Sequence, residues 1–277
     1  MCGRRFVGGK RLIVSDVISD YVEHKMTLGE LSAKYSKSVS TIQRKLRQMH
    51  HVRFISKYKH VVIQMDTTYW GRNYGLMVIK DALRNKILWH KYVKHETIAD
   101  YMEGVEWLEK NNFTIYGVVC DGLRGLFSAL SKYPVQMCQV HQQRIIRTYL
   151  TQNPELEASR ELLALSKALT KSDKEYFLEA FDAWYRKWKS FLEERSTEAS
   201  GKTHYTHKTL RSAYLSLRRN MPWLWTFYDS PNLGIPNTNN ALEGTFTDIK
   251  SKLRAHSGIK KSNRSKFLDE YIARHYY

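Results

Sequence analysis

Three acidic residues that lie far apart in the sequence have the chemistry to act together on a metal ion. Asp66 follows the apolar run VVIQM (61–65), and Asp121 ends a second apolar run, FTIYGVVCD (113–121). If the two runs form neighbouring strands, the carboxylates lie side by side at one edge of a sheet and repel each other. A divalent cation removes that repulsion, and carboxylate oxygens are ligands that Mg²⁺ and Mn²⁺ prefer. The sequence therefore predicts a Mg²⁺ or Mn²⁺ site.

A third carboxylate is expected from the stretch NTNNALEGTFTDIKSKLR (237–254), which carries Glu243 near the start of a predicted helix. Three carboxylates suit a pair of ions, of which one activates a water or a 3′-hydroxyl and the other stabilises the leaving oxygen of a phosphodiester. Structural interpretations stay open for each residue. Asp66 and Asp121 would serve equally well as strand-ending turn residues, and Glu243 as the glutamate of a capping box that begins at Asn240.

The elements around the two aspartates follow the order of an α/β fold. Strands are predicted at 61–65, 75–82 and 86–93, with a tight turn at Arg84-Asn85, and they are followed by a helix over 95–112, a strand over 113–121, a short helix and a strand over 135–140. Three strands, a helix, a strand, a helix and a strand match the ribonuclease H-like order. The predicted catalytic domain comprises residues 58–141 and 237–256.

Beyond His141 the strand signals end, and the chain reads as helical and charged. We predict an all-helical insertion domain over 142–236, a last helix of the catalytic domain from about Asn240, and a basic C-terminal tail with a short helix over 257–277. The insertion would either cover the sheet or hold a partner subunit.

The N-terminal part shows the spacing of a helix-turn-helix, and the predicted module covers residues 11–52. In TLGELSAKYSKSVSTIQRKLRQ (27–48), Thr27 caps one helix, and a turn near Lys37 leads into a second helix with Ile42 and Leu46 facing inward. The second helix then turns four side chains outward, where they reach base edges and phosphates in a major groove. These are Gln43, Arg44, Lys45 and Arg47. The alternative is a helical hairpin that packs on the next domain.

The charge of the chain favours a polyanionic partner. It has 45 basic and 27 acidic residues in 277, a net charge of +18, and cations that neutralise phosphates release counterions and add affinity for nucleic acid. A solvated basic surface without a partner is the alternative. Three scattered cysteines do not form a disulfide framework, and no apolar run has the roughly 20 residues of a membrane span. A cytoplasmic, nucleoid-associated protein is expected.

Four motifs together resemble one family. The segments DTTYW (66–70), CDGLRGL (120–126), CQVH (138–141) and TNNALEGTFTDIKSKLR (238–254) are similar to those of Mutator-like transposases, in the branch found among bacterial insertion sequences. The resemblance runs from about His60 to the C-terminus. It implies a DDE catalytic domain interrupted by a helical insertion, with Asp66, Asp121 and Glu243 as the catalytic, metal-binding triad and two Mg²⁺ or Mn²⁺ ions as cofactors.

The same resemblance assigns further residues. Cys138 and His141 match a C-x-x-H signature, which implies that His141 lies near the scissile phosphate and that Cys138 supports the packing; a buried cysteine and a hydrogen-bonded histidine are the alternative. Position, and not the resemblance, singles out three cations: Arg124 follows Asp121 on the turn, and Lys250 and Arg254 share the helix face of Glu243. They are expected to contact DNA phosphates, although Arg124 would equally pair with an acidic neighbour and the other two would equally be solvated.

The N-terminal MCGRRFVGG resembles the end of a zinc ribbon. Only Cys2 of the four ligands of such a site is present, so residues 1–10 are interpreted as the remnant of a truncated ribbon and zinc is not expected.

The expected function is therefore that of a DNA transposase. It would bind double-stranded DNA as a homodimer or larger oligomer, hydrolyse the phosphodiester at element ends and transfer the 3′-hydroxyl into target DNA. Two alternatives remain, a transposase-derived repressor without catalysis and a nuclease without strand transfer.

Overall fold

The computed structural model describes residues 12–49, 55–256 and 258–277. The chain forms two compact units, the first made of Met1–Ser56 with Glu243–Tyr277 and the second of Lys57–Leu242. The predicted zinc-ribbon remnant, with Cys2, lies outside the described residues, as do the two ends of the predicted helix-turn-helix range.

The second unit contains a mixed five-stranded sheet. Its strands are β1 (His60–Tyr69), β2 (Gly75–Asp81), β3 (Lys86–Val93), β4 (Thr114–Cys120) and β5 (Val135–Met137). They lie in the order β3-β2-β1-β4-β5. Strands β1, β2 and β3 pair antiparallel, whereas β4 runs parallel to both β1 and β5. This mixed α/β arrangement is consistent with the predicted ribonuclease H-like fold.

Both faces of the sheet are buried, as the continuous apolar runs predict. Alternate residues of β1 point to opposite faces. Ile63 belongs to the core cluster that contains Tyr101 and Val105 of helix α4 (Ile98–Lys110), whereas Val62 belongs to a smaller cluster with Ile235. The segment before residue 242 therefore covers the face opposite α4.

The turn between β2 and β3 lies where the sequence places it. Asp81 Oδ1 accepts the backbone N–H groups of Leu83 and Arg84 at 2.9 Å and 3.3 Å. Asn85 takes a left-handed conformation, with φ of 59°, which asparagine tolerates better than most residues.

Two predicted boundaries need correction. Helix α4 begins at Ile98 instead of residue 95, because the Thr97 side chain accepts the N–H of Asp100 and caps the helix there. Strand β5 ends at Met137 instead of residue 140, because its neighbour β4 ends at Cys120, which pairs with Met137. The chain then turns directly into helix α6 (Gln139–Leu150).

A helical segment follows the sheet and has its own hydrophobic core. Its elements, with the short α5 that precedes β5, are α5 (Leu126–Ala129), α6, α7 (Glu157–Ala168), α8 (Lys174–Glu193), α9 (Lys208–Leu224), α10 (Thr226–Asp229) and a 3-10 turn (Pro231–Leu233). The segment is not entirely helical, because β6 (Arg195–Thr197) and β7 (Thr203–Tyr205) form an antiparallel hairpin between α8 and α9. No helix in the described part of the chain combines the length and the apolar composition of a membrane span.

The first unit begins with short helices, of which the second and third have side-chain caps. They are α1 (Val14–Val22), α2 (Leu28–Tyr35) and α3 (Val39–Leu46). Thr27 and Glu30 form a reciprocal capping box at the start of α2, and Ser38 caps α3 by accepting the N–H of Thr41. Ser36 ends α2 in a left-handed conformation, with φ of 51°.

Two C-terminal helices complete the first unit. The helix α11 (Asn240–Arg254) enters it at Glu243, and α12 (Lys261–Tyr276) packs against α1. Phe267 of α12 meets the Tyr21 ring edge-on, with ring centroids 5.7 Å apart. Arg274 forms an ion pair with Glu23 at 2.7 Å, so both an aromatic contact and an ion pair join α12 to α1.

Candidate active site

Asp66 and Asp121 are brought together by the parallel pairing of β1 and β4. Gln64 pairs with Val119, so two residues further on Asp66 is level with Asp121, which directly follows β4. Asp66 is not the last residue of its strand, as the sequence suggested, because β1 continues to Tyr69 in antiparallel pairing with β2. Asp66 lies instead where β1 loses its parallel neighbour, which leaves that side of the strand accessible.

The third carboxylate of this cluster is Glu96. One oxygen from each of Asp66, Glu96 and Asp121 lies within 4.8 Å of the other two, and all three residues are half-buried. From the sequence alone, Glu96 falls inside the helix predicted over 95–112 and is not among the expected ligands. Since α4 begins only at Ile98, Glu96 lies in the connection before the helix and reaches the strand ends. The pattern Thr97-x-x-Asp100 is a helix-start signal, and it predicts a helix that begins after Glu96.

Hydrogen bonds hold Glu96 from the α4 side. The Tyr101 hydroxyl donates to Glu96 Oε1, and Thr67 Oγ1 lies 3.1 Å from the same hydroxyl oxygen. Burial raises the pKa of Glu96, and the nearby charge of Asp121 raises it further, while the bonds from Tyr101 and Thr67 act against this rise. Burial and the charges of Glu96 and Asp66 raise the pKa of Tyr101. Tyr101 therefore stays protonated as a donor.

The cluster fits a divalent cation. Oxygens that share one Mg²⁺ at about 2.1 Å lie at most about 4.2 Å apart, so small side-chain movements bring the three carboxylates to one ion. Burial is the main cause of the raised pKa of Glu96, and the charge of Asp121 adds to it; a bound cation would relieve the repulsion between these carboxylates. The ligand set is all-oxygen, which suits Mg²⁺ or Mn²⁺ and not a structural zinc site.

Glu243 lies in the first turn of α11 and in the first compact unit, whereas the carboxylate cluster belongs to the second. The residues just before Glu243 are hydrogen-bonded to the sheet. Gln64 donates to the carbonyl of Thr238 at 3.0 Å, and the Asn239 side chain donates to the carbonyl of Met65 at 3.2 Å. Asn239 is fully buried. The start of α11 is thus fixed beside the strand that carries Asp66.

A buried lysine completes this attachment. Lys80 of β2 has no exposed surface, and its Nζ donates to the carbonyl of Ala241 at 2.8 Å. Burial lowers the pKa of Lys80 to about 8. The interaction links the central part of the sheet to the first turn of α11, two residues before Glu243.

One residue of the motif CQVH (138–141), Cys138, contacts the segment before Glu243. Cys138 is fully buried, and its Sγ accepts the backbone N–H of Asn239 at 3.2 Å. Burial raises the pKa of its neighbour in space, Cys120, and the Asp121 charge adds to the effect, so that thiol is not a nucleophile at neutral pH. His141 lies in the first turn of α6 and is half-buried.

The predicted DNA-contacting residues divide between the two units. On α3, Ile42 and Leu46 are buried, while Gln43, Arg44 and Arg47 are exposed and Lys45 is half-buried. Arg124 is exposed in the loop after Asp121, where Gly125 has φ of 89°. On α11, Arg254 is exposed and Lys250 is half-buried.

Comparisons with known proteins give distant structural likenesses. No protein-family model matches the chain, and no curated protein matches it. Among solved structures, the Drosophila P element transposase strand transfer complex has a chain with 11% identity and a TM-score of 0.45, covering 97% of this chain and 93% of that one. A chain of the simian T-cell lymphotropic virus intasome in complex with PP2A regulatory subunit B56 gamma has 11% identity and a TM-score of 0.24, covering 57% and 69%. Both TM-scores are below 0.5, so neither likeness by itself assigns a function.

Proposed function

We propose that this chain is a DDE-type DNA transposase of the Mutator-like kind, in the bacterial insertion-sequence branch. The observation that carries the proposal is the cluster of Asp66, Glu96 and Asp121 at the end of β4, where β1 loses its parallel neighbour. In a basic chain with a net charge of +18, a divalent-cation site of this kind suits cleavage of a phosphodiester backbone.

Asp66 and Asp121 would hold the divalent ions, Mg²⁺ or Mn²⁺, and Glu96 lies close enough to bind the same ions. We propose Glu243 as a further ligand, contributed by the helix whose start is tied to the sheet through Asn239 and Lys80. Two bound ions would supply an activated oxygen nucleophile and a stabilised leaving oxygen.

The protein's own side chains position the DNA strand around this cluster. His141, at the start of α6, would contact the scissile phosphate, with Cys138 as its structural support. Arg124 is exposed three residues after Asp121 and would hold a phosphate near the cluster. Lys250 and Arg254 would lead the strand along α11, since cations placed in a row follow a phosphate backbone.

Recognition of specific DNA would come from the N-terminal helices. We propose that residues 11–52 form a helix-turn-helix with α3 as the recognition helix, because its buried face holds Ile42 and Leu46 and its exposed face carries Gln43, Arg44 and Arg47. Lys45, half-buried, would reach a phosphate at the margin of the groove.

The remaining assignments follow from this function. Residues 58–141 and 237–256 would form the catalytic domain, 142–236 an insertion domain, and 257–277 a basic tail with its helix. Two element ends must be joined, so the working form would be a homodimer or larger oligomer on double-stranded DNA, in the bacterial nucleoid. The reaction would be hydrolysis at the ends followed by attack of the 3′-hydroxyl on target DNA.

The test is a cleavage and joining reaction with labelled DNA that carries the ends of the encoding element, in the presence of Mg²⁺ or Mn²⁺. We expect the wild type to cut and join the DNA, and Asp121→Asn to bind it without cutting. Asp182→Asn, an exposed aspartate on α8, is the matched control and should behave as the wild type.

Each other outcome contradicts part of the proposal. Cutting without joining would identify a nuclease, and binding without any cutting by the wild type would identify a repressor-like protein. Equal cutting by Asp121→Asn and the wild type would show that the cluster is not the active site.

A further inference from the structure

The first unit contains a cavity that borders the exposed face of α3. Its volume is about 430 Å³, within the range of ligand sites. Its lining includes Gln43 and Leu46 of α3 with Arg47 directly after it, Lys260, Asn263 and Lys266 at the start of α12, and residues of α2 and of the α11–α12 connection. We refer to it as the α3–α12 cavity. The C-terminal segment thus lines the same recess as the proposed recognition helix.

The lining of the α3–α12 cavity is cationic. Arg47, Lys260 and Lys266 are exposed at its margin, and among the described residues that line it none is acidic. Three positive side chains in a recess whose described lining has no acidic residue focus the field and attract an anion. The amide groups of Gln43 and Asn263 add donors suited to phosphate and sugar oxygens.

The position of the cavity beside α3 indicates which anion it would bind. Gln43 and Arg47 lie on both α3 and the cavity wall, so an anion bound here touches the helix that would enter a major groove. When a recognition helix enters a groove, the sugar–phosphate strands flank it on both sides. Cations that line the same recess as such a helix are therefore placed for one of these strands.

We propose that the α3–α12 cavity receives the sugar–phosphate backbone of the DNA duplex on which α3 lies, with Lys260 and Lys266 as phosphate contacts. This inference rests on the proposed DNA-binding function and extends it. The DNA-binding surface then includes both ends of the chain, more than 200 residues apart in the sequence, and α12 is part of the recognition module instead of a separate tail.

The experiment measures the salt dependence of duplex binding by the full-length chain, in EDTA so that no strand is cut. Each phosphate contact contributes about 0.9 to the slope of log affinity against log salt. For Lys260→Gln/Lys266→Gln we expect the slope to fall by about 1.8 relative to the wild type, with weaker binding at every salt concentration.

The matched control is Lys189→Gln/Lys202→Gln, which removes the same charge from two exposed lysines of the second unit. Its slope should equal that of the wild type. Thermal unfolding of both double variants should also equal that of the wild type, since all four side chains are exposed or lie at a cavity margin.

The outcomes separate this inference from the function on which it rests. A wild-type slope for Lys260→Gln/Lys266→Gln, or an equal fall for both double variants, would overturn the inference and leave DNA cleavage by the carboxylate cluster untouched. Failure of the wild type to bind any duplex, including element-end DNA, would overturn both.

Discussion

At the residue scale, Glu96 shows how a helix cap decides which side chains reach a site. Thr97 starts α4 one residue after Glu96, so Glu96 lies outside the helix and points to the ends of β1 and β4. Tyr101 and Thr67 then hold the carboxylate in place. A glutamate within the helix would have followed the helical period and been directed elsewhere.

We predict that Glu96→Gln weakens Mn²⁺ binding by at least about tenfold, because removal of one carboxylate costs more than the loss of an outer-shell partner, which itself costs 10- to 100-fold. Calorimetric titration of Mn²⁺ into the apo protein measures the change. Glu106→Gln, on an exposed face of α4, is the control and should bind as the wild type does. Unchanged Mn²⁺ affinity in Glu96→Gln would remove Glu96 from the ligand set.

Buried His256 makes the stability of the first unit depend on pH. Burial lowers its pKa below the ordinary 6.5, and its ring packs against Tyr21 with centroids 4.3 Å apart. Below pH 6.5 the unfolded chain takes up a proton that the folded chain does not, so the free energy of unfolding falls as the pH falls through this window.

Replacement of His256 by phenylalanine should reduce this pH dependence. We expect the melting temperature of the first unit to fall less between about pH 7 and pH 5 in His256→Phe than in the wild type. Differential scanning calorimetry at both pH values checks this. An identical fall in the two proteins would assign the acid sensitivity to other groups.

At the element scale, the start of α11 is the connection that matters most for the proposed chemistry. Thr238, Asn239 and Ala241 are hydrogen-bonded to β1 and β2, and Cys138 accepts the N–H of Asn239. The hydrogen bonds to β1 and β2 join this segment to strands more than 150 residues earlier in the chain. They fix the position of the residues at which the helix carrying Glu243 begins.

Asn239→Ala should lower the free energy of unfolding by about 1–3 kcal/mol, since it leaves the buried carbonyl of Met65 without this donor. Asn240→Ala changes the adjacent, exposed asparagine and should stay within about 0.5 kcal/mol of the wild type. Denaturant unfolding measures both. A loss of the same size in the two variants would contradict the anchoring role of Asn239.

Sequence periodicity predicted the elements that are long and apolar and missed those that are not. Strands β1, β2 and β4 are continuous apolar runs, and the juxtaposition of Asp66 with Asp121 follows from the parallel register of β1 and β4, although β1 continues beyond Asp66. The β6–β7 hairpin has three-residue strands of mainly polar residues, which give no apolar signal. Strand β5 ends where its neighbour β4 ends. The local sequence VQMCQV (135–140) gives no information about that tertiary pairing.

At the scale of the whole molecule, the ends of the chain form one unit. The basic segment at residues 260–266 reads in sequence as a tail before a last short helix, because periodicity shows an apolar face without showing what covers it. Helix α12 instead begins at Lys261 and includes nearly all of that segment. In the structure, Phe267, Leu268 and Tyr271 of α12 are buried. The Tyr271 and Tyr276 hydroxyls also donate to Asp248 of α11, at 2.6 Å and 2.7 Å.

The N-terminal helices should therefore depend on α12. Phe267 is a fully buried aromatic residue, so Phe267→Ala should cost about 3–5 kcal/mol. The resulting loosening of α3 should let trypsin cleave its backbone after Arg44 and Lys45 under native conditions. Tyr176→Ala, 67% exposed on α8, is the control and should leave the digestion pattern unchanged. Continued protection of α3 in Phe267→Ala would show that α1–α3 fold without α12.

The central claim is that Asp121 binds the divalent ion on which strand cleavage depends. Asp121→Cys tests it directly, because a thiolate is a softer ligand that Mg²⁺ accepts poorly and Mn²⁺ accepts better. We predict that the wild type cleaves element-end DNA with either ion, whereas Asp121→Cys cleaves with Mn²⁺ and not with Mg²⁺. Wild-type cleavage by Asp121→Cys in Mg²⁺ would contradict the account.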